Sequence, residues 1–194
     1  MVIDIYMTQT TFISMLEECV VRNRLKHHEQ RYEKSCIPSS FEMVLKLLEK
    51  DMSSVGSFFL QDKYKNDMSE QSFKQDFPNG TLDIIFNRIA IRESDINKKI
   101  QMILNALDGE LNDERFPIIE TYYIDNGHLW VHAHVVFRRD GSGDCAIYHS
   151  VTFCHGGNID FKKWSIDPDQ VNDVHPLIDS MDRADAGMIY WKNS

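Results

Sequence analysis

The sequence predicts an α+β fold in which N-terminal helices pack on a C-terminal antiparallel sheet. Apolar residues recur every three or four positions in the first half of the chain, as in amphipathic helices, and every second position beyond residue 116, as in strands. Turn signals separate the alternating segments, which favours hairpins. The 194 residues contain no repeat or linker, so we expect one domain, 1–194, with a helical lobe at about 1–110 and a sheet lobe at about 111–194.

Three main helices are predicted in the first lobe. The first covers 10–26, and the second covers 36–50 with Pro38 in its first turn, where proline is tolerated. The third covers 94–109 and is expected to stop at Gly109. The polar composition of 51–80 predicts a long surface excursion with one short helix.

Three strands are predicted in the second lobe, at 116–124, 129–137 and 145–153. The Asp-Asn-Gly sequence at 125–127 is a strong hairpin signal, and a glycine-containing turn at 139–144 separates the second strand from the third. A helix around 177–188 is expected to close the chain.

Cys36 is the most informative residue, because it opens the second predicted helix with Gln30 six residues upstream. The partial positive charge of a helix N-terminus favours a thiolate over a thiol. A thiolate that attacks a carbonyl also needs donors for the oxyanion, which the backbone N–H of Cys36 and the side-chain amide of Gln30 could supply. The alternative is that Cys36 is a small packed residue and Gln30 a solvated loop residue.

The segment 35–45, Ser-Cys-Ile-Pro-Ser-Ser-Phe-Glu-Met-Val-Leu, resembles the nucleophile segment of papain-like cysteine peptidases. It is most similar to the branch that processes double-glycine bacteriocin leaders. Residues 117–119, Pro-Ile-Ile, look like the strand that precedes the catalytic histidine of that family. The resemblance implies a papain-like two-lobe fold without a cofactor. It also implies that Cys36 is the nucleophile, that Gln30 belongs to the oxyanion hole and that a histidine opens a later strand.

Three histidines are candidates for the base: His128, His132 and His134, which share one face of the predicted strand. His132 begins a His-Ala-apolar run similar to that of the family. His128 directly follows a turn, as the family's histidine commonly does, and His134 would lie opposite His149 across a hairpin. We rank His132 first, His128 second and His134 third.

The third member of a catalytic triad is missing from its expected place, which is occupied by Tyr148, His149 and Ser150. Asp144, Asn158 and the Asp167-Pro168 pair remain candidates, and a dyad could function because the third residue only orients the imidazole. The predicted reaction is acyl transfer through a Cys36 thioester. A peptidase acting on a protein or peptide is favoured over a glutamine deamidase, which passes through the same kind of intermediate.

Two other classes of function stay open. The first is a zinc site, because His132 and His134 on one strand and Cys154-His155 on another provide suitable ligands. The second is a papain-like scaffold without activity that binds a protein partner through exposed apolar residues at 58–59 and Trp164.

Composition limits the partners. The net charge of −9 disfavours nucleic acid and anionic membranes and is more compatible with basic substrates. No apolar run is long enough for a transmembrane helix, and the N-terminus lacks the features of a signal peptide. We therefore expect a chain that folds in the cytosol, with signal-independent export of a secreted effector left open. The four cysteines are expected to be reduced, and the oligomeric state is left open.

Overall fold

The computed structural model describes residues 16–53, 56–65, 68–77, 88–91, 96–112, 116–125, 128–141, 146–165 and 186–189. Its helices are α1 (Glu18–Arg24), α2 (Cys36–Leu47), α3 (Phe59–Lys63), α4 (Glu70–Asp76) and α5 (Ile96–Asn112). Its strands are β1 (Arg88–Ile91), β2 (Ile118–Asp125), β3 (His128–Asp140), β4 (Ile147–Phe153), β5 (Ile159–Ser165) and β6 (Ala186–Ile189). Helices and an antiparallel sheet are both present, which confirms the α+β class.

The strands form one antiparallel sheet in the order β1-β6-β2-β3-β4-β5. Strands β2 and β3 pair as far as Asp125 opposite His128, so the hairpin predicted at 125–127 is confirmed. Strand β1 lies within the predicted helical lobe but pairs with β6, so the division into lobes at about residue 110 does not separate helix from sheet.

Helix α2 packs on one face of this sheet. Its apolar residues are buried together with alternate residues of β3 and β4, because successive side chains of a strand point to opposite faces. The shared core contains Phe41, Val44 and Leu45 of α2, Ala133, Val135 and Phe137 of β3, and Val151 and Phe153 of β4. His132, His134 and Thr152 consequently belong to the other face of the sheet.

Helix α5 covers part of that other face. The hydroxyl of Tyr148 in β4 donates to Asp108 Oδ1 at 2.5 Å, and Arg139 of β3 lies 3.3 Å from Asp108 Oδ2. The helix continues past Gly109, where the sequence predicted its end. Leu107 and Leu111 are both buried, so the apolar face continues through Gly109 and its packing outweighs the low helix propensity of glycine.

Where the structure describes residues 51–80, they do not form the surface excursion that the sequence predicted. They contain two short helices, α3 and α4, and Leu60, Met68 and Phe73 are buried in the main core. The Phe73 ring stacks on Phe41 of α2 with ring centroids 5.7 Å apart. Sparse apolar residues in a polar segment therefore anchor it to α2.

The helix predicted around 177–188 lies largely outside the described residues, and where the structure describes it, at 186–189, the chain is strand β6. Strand β5 was not predicted, although Ile159 and Phe161 alternate with polar residues. Within the described ranges, no helix is long and apolar enough to cross a membrane.

Candidate active site

Cys36 is the first residue of α2, as predicted, and its side chain is partly buried. Burial, followed by the negative charge of Glu120, raises the pKa of its thiol to about 11. The backbone N–H groups of Ile37, Ala133 and Cys36 point at the sulphur and oppose this rise. The prediction that the helix N-terminus favours a Cys36 thiolate is therefore wrong. Desolvation and the charge of Glu120 raise the pKa of the thiol by more than the backbone amides lower it.

The sulphur of Cys36 lies where β3 and β4 separate. Their pairing runs to Val135 opposite Val151, and beyond it the Ala133 carbonyl accepts a hydrogen bond from Thr152 Oγ1 of β4 at 2.7 Å. The N–H and C=O of one strand residue point toward the same neighbouring strand. The Ala133 N–H that faces Cys36 thus places the sulphur on the β4 side of β3.

His132 directly precedes Ala133 in β3, so its side chain points to the opposite face of the sheet from that of Ala133. Its Nε2 lies 2.9 Å from Thr152 Oγ1 and 3.6 Å from Cys154 Sγ. The single hydroxyl hydrogen of Thr152 is donated to Ala133, so Thr152 Oγ1 accepts from His132 and Nε2 carries the proton. Burial lowers the pKa of His132, which keeps the ring neutral near pH 7 and leaves Nδ1 as its basic nitrogen.

The other histidine candidates differ in their surroundings. The His134 ring packs edge-on against His132 with centroids 5.1 Å apart, and burial is the main reason that its pKa falls to about 3. The side chain of His128 lies outside the described residues. His149 lies opposite Arg138 rather than His134, so that predicted pairing is wrong, and its Nε2 is 2.8 Å from Asp140.

Gln30 does not have the geometry predicted for an oxyanion donor. Its Nε2 donates to the carbonyls of Tyr32 at 2.9 Å and Glu33 at 3.0 Å, which uses both amide hydrogens. The side chain is buried, and its two hydrogen bonds hold the loop that leads into Cys36 in place. The predicted oxyanion role of Gln30 is therefore replaced by a structural role in this loop.

A second brace holds the same loop against α2 and α3. The Gln61 amide nitrogen donates to the carbonyl of Glu29 and to the carboxylate of Glu42, at 2.9 Å and 2.7 Å. Its oxygen accepts from the N–H of Arg31 and the hydroxyl of Ser35, at 2.8 Å and 2.9 Å. These hydrogen bonds fix the approach of the chain to Cys36.

Of the candidates for a third triad member, the structure describes only Asn158. Asn158 is exposed in the turn between β4 and β5, and Asp144 and Asp167 lie outside the described residues. Thr152 contacts His132 and was not predicted from the sequence. Its signal was weak, because a threonine in a strand is ordinary and only the register of β3 and β4 brings it to the ring.

The structure brings together part of the alternative zinc set, since Cys154 approaches His132. Among the described residues, however, no group of three or more potential ligands could hold a metal ion. The cysteines within this part of the chain, Cys19, Cys36 and Cys154, form no disulfide.

The apolar surface that the binding-module hypothesis requires is not formed by Phe58 and Phe59, which are both partly buried. Arg31 and Lys46 lie over the Phe58 ring, at 4.3 Å and 4.5 Å from its centroid. The side chain of Trp164 lies outside the described residues.

Comparisons with protein-family models, with curated proteins and with solved structures find no match. The likeness of 35–45 to papain-like peptidases therefore remains a prediction from the sequence.

Proposed function

We propose that the protein catalyses cysteine-dependent acyl transfer, with Cys36 as the nucleophile and His132 as the general base. The observation that carries the proposal is the N–H of Ala133, which points at the Cys36 sulphur. Ala133 directly follows His132, whose side chain belongs to the opposite face of the sheet from α2, so the proposal requires the imidazole to reach the sulphur through the gap where β3 and β4 separate. The proposal includes a papain-like arrangement, in which α2 carries the nucleophile and β3 carries the base.

The ring nitrogen that suits this role is Nδ1, because Nε2 carries the proton that is donated to Thr152. In the first step the sulphur forms a bond with the substrate carbonyl carbon while the thiol proton moves to Nδ1. The imidazolium then protonates the leaving nitrogen as the carbon–nitrogen bond breaks. Water, with its proton taken by the imidazole, hydrolyses the resulting thioester and restores the thiol.

The raised pKa of Cys36 favours general-base catalysis over a preformed thiolate–imidazolium pair. Burial and Glu120 keep the thiol protonated near pH 7, so its proton leaves only as the sulphur attacks. The N–H of Cys36 is the natural donor to the oxyanion, since the amide of Gln30 is already used. Thr152 positions the imidazole, as the third residue of a triad does.

The proposed substrate is a protein or peptide, with basic segments favoured by the net charge of −9. Incubation with a mixture of basic, glutamine-containing peptides and analysis by mass spectrometry would separate the two possible reactions. A peptidase produces two fragments, whereas a deamidase converts an amide to a carboxylate without cutting the chain. We expect cleavage.

Cys36→Ala should abolish the reaction, and Cys154→Ala is the matched control. Cys154 is an exposed thiol that faces the protonated Nε2 of His132, which cannot accept its proton. The Cys154→Ala variant should therefore retain the wild-type rate. Retained turnover in Cys36→Ala, or its loss in Cys154→Ala alone, would overturn the assignment of the nucleophile.

A further inference from the structure

A cleft of about 540 Å³ opens beside the C-terminal end of α2. Its walls contain the basic residues Arg24, His27, Lys46 and Lys50 together with the hydroxyls of Ser53 and Ser57, and no acidic residue lines it within the described part of the chain. The chain as a whole carries 30 acidic and only 21 basic Lys and Arg residues. A cleft lined by cations is therefore the reverse of what the overall charge leads one to expect.

Lys46 is the partly buried basic residue of this cleft that forms no ion pair within the described residues, whereas Arg24 pairs with Glu49 at 2.7 Å. Its ammonium lies 2.9 Å from His28 Nδ1 and 4.5 Å from the centroid of the Phe58 ring. Among the described residues, no carboxylate lies within ion-pair distance of it, although the charges of Glu42 and Glu29 still act on it from further away, and burial is the main reason that its pKa falls. The carboxylate of Glu42, one turn earlier in α2, instead accepts the N–H groups of Leu60 and Gln61 and the Gln61 side-chain amide.

The contact with His28 keeps Lys46 in place as a donor. Burial and the charge of Lys46 lower the pKa of His28 to about 2, so its imidazole is neutral and Nδ1 accepts from the ammonium. Its Nε2–H is then the donor to Ser39 Oγ, at 2.9 Å. This bond uses one of the three ammonium hydrogens of Lys46.

A partly buried ammonium is costly unless an opposite charge lies near it. We propose that this cleft binds a phosphate group, either as inorganic phosphate or carried on a small molecule, with Lys46 as the main counter-charge. Arg24 and Lys50 line the same cleft, and several cations together match a phosphate dianion better than a single carboxylate. The site is distinct from Cys36, which lies at the other end of α2.

Isothermal titration at pH 7 and constant ionic strength tests the proposal with inorganic phosphate, phosphoserine and acetate. Phosphate should bind the wild-type protein more tightly than acetate does. Lys46→Met, which keeps the apolar stem and removes the charge, should weaken phosphate binding about tenfold or more. Lys163→Gln, which removes a charge from the exposed part of β5, is the matched control and should bind like wild type.

Phosphoserine that binds more tightly than inorganic phosphate would identify a carried phosphate, and equal binding would identify the free ion. Should Lys46→Met fail to fold, His27→Ala changes an exposed residue of the same cleft and should weaken binding severalfold. The proposal is overturned if wild type binds no phosphate, or if the folded cleft variants bind it as tightly as Lys163→Gln does.

Discussion

The hydrogen bonds around His132 define which of its ring nitrogens carries the proton. Thr152 gives its hydroxyl hydrogen to Ala133 and so must accept from His132 Nε2, which leaves Nδ1 basic. The sequence placed His132 first among three histidines but could not reveal Thr152, because the contact depends on the register between β3 and β4. It also could not reveal that both hydrogens of the Gln30 amide are used by nearby carbonyls.

The raised pKa of Cys36 predicts a specific loss of stability at alkaline pH. The folded-state pKa of about 11 lies above the ordinary thiol pKa of 9.0, so ionisation of the thiol favours the unfolded state. The stability that the folded protein gains from keeping this thiol protonated is fully present below about pH 9 and is lost as the pH rises through about 11. The difference between the two pKa values corresponds to a loss of about 2–3 kcal/mol in the free energy of unfolding.

Urea unfolding of wild type and Cys36→Ala at pH 8, 9, 10 and 11 measures this contribution. The difference in the free energy of unfolding between the two proteins should move by about 2–3 kcal/mol in favour of the variant as the pH rises. A difference that stays constant over the same range would show that Glu120 and burial do not disfavour the Cys36 thiolate.

Gln30→Ala should reduce stability rather than act directly on the chemistry. The substitution removes two hydrogen bonds from the loop before Cys36, so we expect the free energy of unfolding to fall by about 1–3 kcal/mol. Glu33→Ala changes an exposed side chain of the same loop and serves as the control. A Gln30→Ala protein as stable as wild type but catalytically impaired would restore the predicted oxyanion role.

The elements with strong local patterns were predictable, and those held by distant contacts were not. Alternation and the Asp-Asn-Gly turn located β2 and β3, and the spacing of Phe41, Val44 and Leu45 located α2. Helices α3 and α4 were largely missed because a few apolar residues, such as Leu60 and Phe73, act through contacts with the core. Helix α5 extends beyond its predicted end because Leu111 is buried one turn after Leu107.

Gly109 provides a test of this interpretation of α5. A Cβ added at Gly109 meets nothing within 4 Å, so Gly109→Ala should stabilise the protein by about 0.5–1 kcal/mol through helix propensity alone. Gly56 also has open space but a φ of +88°, so Gly56→Ala should destabilise it instead. Thermal unfolding compares the two variants, and a destabilised Gly109→Ala protein would contradict a continuous α5.

At the scale of the whole molecule, α2 connects two chemically different places. Its N-terminus carries Cys36 into the gap where β3 and β4 separate, and its C-terminal end borders the basic cleft around Lys46. A helix of 12 residues spans about 18 Å, so the two places are separate. The sequence identified the first from the pattern around Cys36, but the second is formed by residues from α1, α2 and the following loop that only folding brings together.

The central claim is that Cys36 attacks a carbonyl with help from His132. It is tested most directly by reacting the protein with p-nitrophenyl acetate and locating the acetyl thioester by mass spectrometry of the digested protein. We predict that the acetyl group is found on Cys36 in wild type and in Cys154→Ala, and that His132→Gln acetylates about 100-fold or more slowly. An acetyl group on Cys154 instead, or an unchanged rate of Cys36 acetylation in His132→Gln, would contradict the account.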